Sequence, residues 1–321
     1  FRFDASWQTV PYVREESLHD IFGAYTDEVK TRFLVDKGNG RWDLNVMMDT
    51  QRKVVDYFSG ADDEMNVLIR DGLLKLLDEV LFLEDPDQPG YYHPRIMGNR
   101  TQAYQALDDE QKACFDRLYE DFFYWRHNDF WKAEALRKLP VLVASTDMLV
   151  CGEDLGMIPG CVPEVMKQLQ ILSLEIQRMP KEWNCEFGDV SRYPVRSVCT
   201  TSTHDMSGIR GWWQEDPART QRYFNEVLGE SGQAPATCEP WICERMVELT
   251  LSAPSMLAIL PLQDWLSIDG RLRRKNPDEE RINIPACPHY YWRYRMHLSL
   301  EQLLAEGVFN TRLQEMIARS G

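Results

Sequence analysis

Met148-Leu149-Val150-Cys151-Gly152-Glu153-Asp154-Leu155-Gly156 is a short apolar run that breaks at a glycine into two adjacent carboxylates. The same pattern returns twice downstream, in Ser197-Val198-Cys199-Thr200-Thr201-Ser202-Thr203-His204-Asp205 and in Leu260-Pro261-Leu262-Gln263-Asp264-Trp265. Short apolar runs bounded by polar or Gly/Pro residues read as buried strands, and residues 148–151, 172–177, 197–201 and 257–262 all qualify. The stretches between them are long enough for crossover helices, for which 162–169, 217–228, 241–251 and 299–306 are the candidates. Pro163 falls in a first helical turn, where its missing N–H costs nothing. The expected fold class is α/β. Four strands with intervening helices make half of a (β/α)8 TIM barrel, so residues 141–321 are expected to be the C-terminal half of such a barrel.

Upstream, residues 1–140 are expected to be a mainly helical insertion or subdomain. Leu73, Leu76, Leu77, Val80 and Leu81 recur at the spacing of a buried helix face, and 108–121 followed by 122–139 forms a second, aromatic-rich helical stretch. Between them, Asp85-Pro86-Asp87-Gln88-Pro89-Gly90 reads as a loop leading into Tyr91-Tyr92-His93-Pro94-Arg95. Those tyrosines stack on a ligand or simply pack.

The 321 residues carry 36 Lys+Arg against 51 Asp+Glu, a net charge of −15. That balance argues against a nucleic-acid backbone or an anionic membrane surface as the main partner. With 44% apolar residues, 10 Trp, 13 Tyr and 13 Phe, the chain buries a large core and is neither disordered nor collagen-like. Its apolar runs fall far short of the roughly 20 residues a membrane helix needs. The eight cysteines are spread without a CxxC pair or clustered histidines, which favours ordinary reduced thiols and a reducing, cytoplasmic compartment over a disulfide framework or a zinc site.

Parallel α/β sheets gather their chemistry where strands end. An ionisable carboxylate directly after an apolar strand is costly unless it is hydrogen-bonded or used. Glu153, Asp154, Asp205 and Asp264 occupy such positions, where each is an acid/base group or a cap on the following helix. The aromatic flanks Trp212-Trp213, Trp265 and Tyr290-Tyr291-Trp292 add faces on which pyranose rings stack. Glycosidic cleavage uses two carboxyl groups flanking the bond, so residues alone point to a carbohydrate-active barrel.

A family resemblance sharpens this. The runs CGEDLGMIP (151–159), SLEIQRMPK (173–181), TTSTHDMSGIRGWW (200–213), LPLQDWL (260–266) and INIPACPHYYWRYR (282–295), with the terminal helix, resemble the 4-α-glucanotransferases of glycoside hydrolase family 77, the amylomaltases or disproportionating enzymes. The likeness is strongest to the long-chain branch typified by the plant cytosolic enzyme and bacterial relatives. It runs from about Pro11 to the C-terminus and is looser in the first 140 residues. It implies transfer of α-1,4-glucan segments between maltose or maltodextrins and glucan acceptors by a retaining double displacement, with no metal and no organic cofactor. Carried over by position, it makes Glu153 the general acid/base and Asp205 the carboxylate that holds the distorted sugar. His204 would bind a hydroxyl of the same sugar, and Asp154 would support Glu153 or its loop at the substrate-binding site. Asn283 and Trp292 fit elements near the sugar, with core packing the alternative for the Trp. Gln263 and Asp264 line donor subsites, or Asp264 caps a turn. Arg178 orients a carboxylate or pairs with surface acids.

One family element is missing. A retaining enzyme needs a nucleophilic carboxylate about 5–5.5 Å from the acid/base. The family supplies it from an Arg-Ile-Asp-His type motif, which does not occur here. Arg2-Phe3-Asp4 matches it only superficially and lies too close to residues 11–22. The expectation is a C-terminal part of the enzyme whose nucleophile lies upstream of residue 1, inactive by itself. The rival readings are an α-glucan hydrolase using the same carboxylates and a non-catalytic glucan-binding fragment.

Overall fold

The computed structural model describes residues 3–61, 63–156, 158–182, 184–287 and 289–320. They form two compact units, residues 1–130 and 131–321. The sequence reading places a boundary at 140/141. The helix His127–Ala144 runs through both positions, so no break in composition marks either.

The first unit is helical with added sheet. The helices Glu15–Phe22, Thr26–Phe33, Gln51–Tyr57 and Glu64–Leu77 bury Leu18, Phe22, Val29, Phe33, Val54, Ile69, Leu73 and Leu76 in one core. Each of these large side chains contributes roughly 1.5–3 kcal/mol by leaving water. The strands β1 (Val13–Arg14), β2 (Leu34–Gly38) and β3 (Arg41–Leu44) form an antiparallel sheet in the order β1-β3-β2. A second pair, β4 (Phe82–Glu84) and β5 (Tyr92–Pro94), is an antiparallel hairpin around the expected loop. Hence Tyr92 and His93 belong to a strand, and His93 Nε2 lies 2.7 Å from the Asp85 carboxylate. The aromatic-rich stretch starts as the helix Asp109–Glu120, closed at its N-terminus by a reciprocal Asp108/Gln111 capping box. It then widens into a π-turn over Asp121–Arg126 before the helix His127–Ala144. Asp4, the superficial nucleophile match, is the N-cap of the short helix Ala5–Gln8 and accepts from the backbone N–H of Ser6 at 3.0 Å.

The second unit is built on parallel strands: β6 (Ser173–Glu175), β7 (Ser197–Cys199) and β8 (Leu257–Ala258), in that order. β6 pairs with β7 with Leu174 opposite Val198, and β7 with β8 with Val198 opposite Leu257. The 150–152 segment lies beside β6. Gly152 N donates to Leu172 O at 2.8 Å, and Leu172 N to Val150 O at 3.0 Å. Two expected strands are corrected here. Residues 148–151 do not form a strand, because only Cys151 bridges to Leu172 while Met148 and Leu149 stay exposed. The 257–262 run pairs only at Leu257–Ala258. Pro261 has no N–H to give a ladder and instead precedes the helix Leu262–Leu266. The structure is thus mixed helix and sheet, with mainly helical connections between parallel strands.

The expected helices lie close to their observed bounds. Val162–Leu169 carries Pro163 in its first turn and ends at Gln170 in the left-handed region. In Pro217–Glu226, Asp216 caps the N-terminus by accepting from the N–H groups of Ala218 and Arg219. Pro240–Leu251 begins on its proline, and Leu300–Ala305 is capped by Ser299. Two further helices, Ile209–Glu215 and Gly307–Ser320, complete a core in which Trp212, Trp213, Tyr223, Phe224, Ile242, Met246, Phe309 and Met316 are buried. All four parallel segments run the same way, so the loops after Cys151, β6, β7 and β8 emerge at one rim of the sheet.

Candidate functional site

That rim carries the sequence-predicted residues. After Cys151 the chain turns through Gly152 into Glu153, whose side chain is exposed, and Asp154, which is buried. The Asp154 carboxylate accepts from Leu174 N at 2.8 Å and from Lys181 Nζ at 2.7 Å. Lys181 also donates to Glu175 at 2.7 Å, and Glu175 accepts from the Ser173 hydroxyl at 2.7 Å. One ammonium between two carboxylates, each of which also accepts a further hydrogen bond, is a geometry in which buried charge is tolerated. Asp154 is therefore engaged in fixing the turn that presents Glu153.

The loop after β7 carries His204 and Asp205, both about half exposed. His204 Nε2 is 3.1 Å from the Asp205 carboxylate. From the far end of the chain, buried Asn283 donates its side-chain amide to Asp205 at 2.9 Å. The exposed Trp292 ring packs on His204 with centroids 4.8 Å apart and a 40° tilt. Four of the expected residues thus meet at one point: a carboxylate, an imidazole, an amide and an indole face. This set offers hydrogen-bond partners for sugar hydroxyls and an apolar surface for a ring face.

Other expectations are redistributed. Trp212 and Trp213 are buried in the core, 5% and 1% exposed, and so do not offer the open faces expected of them. Trp265 packs half-buried against the same core. Asp264 is also buried. One of its oxygens accepts from the Thr201 and Ser202 hydroxyls at 2.6 and 2.5 Å, and the other from Ile209 N at 3.0 Å. Gln263 is buried and donates to the Glu280 carbonyl at 3.2 Å. Arg178 neither pairs with surface acids nor holds a carboxylate by hydrogen bonds. It donates to the carbonyls of Thr201 and Ser207 and stands over the Trp212 ring at 5.0 Å. Burial pushes its pKa down from the ordinary guanidinium value, and the nearby Asp264 carboxylate pushes it back up.

Two cavities open beside these groups. One of about 680 Å³ is lined by Arg178, Met206, Ser207, Trp212, Glu215 and Arg219, among others. The other, about 860 Å³, runs past Asp154, Glu175 and Lys181 toward Tyr193. Lys181 escaped sequence reasoning because its partner Asp154 lies 27 residues away, and the only local signal is a lysine closing SLEIQRMPK. Among the described residues, no group of three or more His, Cys, Asp or Glu is arranged to hold a metal ion, and no helix is long and apolar enough to cross a membrane.

The model of glycoside hydrolase family 77, 4-alpha-glucanotransferase, matches residues 7–300. The chain belongs to this family. Over 316 residues, 97% of its length, this family 77 chain is 36% identical to the 4-alpha-glucanotransferase DPE2 of rice (Oryza sativa subsp. japonica), of which the match covers 33%. It is 29% identical over 178 residues to a 4-alpha-glucanotransferase of Chlamydia trachomatis, covering 54% of this chain and 33% of the relative. The chain thus spans about a third of the length of the curated relatives it matches. Among solved structures it is similar to the amylomaltase from Streptococcus agalactiae in complex with acarbose, with a TM-score of 0.43 and 15% identity over 96% of this chain and 56% of that one.

Proposed function

We propose that this family 77 chain is part of a 4-α-glucanotransferase that moves α-1,4-glucan segments between maltose or maltodextrins and glucan acceptors by a retaining double displacement. The observation that carries the reading is the meeting of His204, Asp205, Asn283 and Trp292 at the rim where the parallel strands end. Glu153, one strand beyond β6 on the same rim, is the general acid/base. It protonates the leaving glycosidic oxygen and then takes the proton of the acceptor hydroxyl. Neighbouring strands lie about 4.8 Å apart, so Glu153 and Asp205 leave the sheet on lines roughly 10 Å apart, with room for a sugar ring between their side chains. Asp205 and His204 hold hydroxyls of the distorted ring, and Trp292 offers its face. Asn283 keeps the Asp205 carboxylate oriented.

In this reading the nucleophile is not among these residues, which hold no Arg-Ile-Asp-His type motif. The order of the parallel segments suits the second half of a (β/α)8 barrel. The chemistry assigned to these residues calls for no metal or organic cofactor. Eight cysteines spread without a CxxC pair suit a reducing, cytoplasmic setting.

The test is disproportionation of maltotriose by the protein expressed from its whole gene, with products resolved by chromatography. Glucose together with chains longer than maltotriose supports transfer, and Glu153→Gln abolishes both. Only shorter sugars would make it a hydrolase. Glucan binding that Glu153→Gln leaves untouched, with no turnover by either protein, would make it a binding module.

A further inference from the structure

The loop that carries His204 and Asp205 leaves the middle strand, β7, and both neighbouring strands send one buried charged residue to its stems. Arg178 follows β6. Its Nη2 donates to Thr201 O at 2.7 Å and to Ser207 O at 3.0 Å, and its Nε reaches Thr201 O at 3.2 Å. Asp264 follows β8. It accepts from the hydroxyls of Thr201 and Ser202 on the entering stem and from Ile209 N on the leaving stem. A cation takes the acceptors of the loop stems from one side, and an anion takes their donors from the other.

Several features make this arrangement more than ordinary packing. Beyond the last ladder residue, the carbonyl of Thr201 needs a partner, and a buried unpaired carbonyl costs free energy. The guanidinium holds both carbonyls, Nη2 reaching Thr201 O and Ser207 O while Nε also reaches Thr201 O, a rigid planar set of donors that a lysine ammonium does not reproduce. Arg178 is only 5% exposed and Asp264 only 2%, so both charges forgo water to make these bonds. The backbone around Arg178 is held in turn, because its own carbonyl accepts from Arg219 Nη2 at 2.8 Å. Gly208 leaves room for the anion, since a Cβ there would come within 2.9 Å of Asp264 Oδ1. Between the stems, His204 and Asp205 are half exposed; they contact each other, Trp292 and Asn283, and Asp205 N donates to the Thr203 hydroxyl at 3.3 Å.

We infer that Arg178 and Asp264 are positioning residues that clamp the 202–208 loop and so fix His204 and Asp205 for glucosyl transfer. This rests on the proposed glucanotransferase reading for its catalytic consequence, and on geometry alone for the clamp itself.

The experiment uses the whole protein with Arg178→Lys, which keeps the charge and loses the fork, and Asp264→Asn, which keeps the shape and loses the charge. Hydrogen exchange should quicken about tenfold or more at the amides of 203–209 in both variants, while the helix Pro240–Leu251 keeps its protection. With maltotriose, kcat should fall about a hundredfold while KM moves little, the penalty of an ångström-scale misplacement. On a His204→Ala background, the further loss from Arg178→Lys should shrink well below that, because both changes act through one loop. Unchanged loop exchange overturns the clamp. So do losses that multiply independently on the two backgrounds. If one variant fails to fold, the other carries both measurements. A wild-type protein that does not lengthen maltotriose defeats the transferase reading, and the exchange data still decide the clamp.

Discussion

Asn283 donates its side-chain amide to the carboxylate of Asp205, 78 residues earlier in the chain, at 2.9 Å. The bond ties the 283–292 segment to the loop after β7 and fixes one lone pair of the carboxylate expected to face the sugar. A hydrogen bond to a charged group is worth about 1.5–3 kcal/mol, which converts to roughly 10–100-fold in rate if it is felt in the transition state. Asn283→Ala should lower kcat/KM for maltotriose by that factor in the whole protein. Asn283→Asp should cost more, because it replaces the amide donor with a second carboxylate that repels the Asp205 carboxylate.

Trp292 stands 59% exposed against His204, which suits a ring face and not a core role. Trp292→Ala should therefore raise KM for maltodextrins severalfold, about 1 kcal/mol of lost stacking, and leave the melting temperature within a degree or two. A large loss of stability would return Trp292 to the packing alternative.

Lys181 holds Asp154 and Glu175 at 2.7 Å each. Lys181→Met leaves two buried carboxylates without their cation and should destabilise the second unit by about 3–5 kcal/mol, read from urea unfolding at pH 7.

Gly72 sits in the helix Glu64–Leu77 with the Phe22 ring so close that an added Cβ would lie 2.2 Å from its Cε1. Phe22 is buried and cannot swing aside freely. Gly72→Ala, ordinarily a stabilising change in a helix, should here cost about 1–3 kcal/mol through overpacking, measured as a lower urea midpoint with an unchanged slope.

In the hairpin of β4 and β5, the His93 side chain holds the Asp85 carboxyl below its ordinary value, helped by the N–H groups of Asp87 and Gln88. A lowered folded-state pKa means that the unfolded chain binds the proton more tightly, so the contribution is present above the ordinary carboxylate value of about 3.9 and is lost as pH falls through the folded value. Melting temperature against pH should show a steeper acid limb for the wild type than for Asp85→Asn. Coincident limbs would refute the pairing.

Where local chemistry marks an element, the sequence revealed it. Pro163 marks the start of the helix Val162–Leu169, and the 299–306 run contains the helix Leu300–Ala305. The rim positions of Glu153, Asp205 and Asp264 were visible because each follows an apolar run. What was hidden depends on partners remote in sequence. Arg178 meets Thr201 across 23 residues and Asp264 meets Ser202 across 62, so neither role has a local signature. Aromatic pairs are ambiguous for the same reason. Trp212-Trp213 and Trp292 look alike as letters, yet the helix Ile209–Glu215 turns the first two into the core and leaves the last on the surface.

That division makes two of the ten tryptophans reporters of different events. Trp213, buried with its indole N–H on the Pro235 carbonyl at 2.8 Å, emits from a dry, fixed surrounding and changes colour only when the core opens. Trp292 emits from the surface, packed on the His204 ring. Adding maltodextrin should therefore shift the intensity of the red-edge emission at constant core colour, and Trp292→Phe should silence that response while leaving the unfolding signal intact.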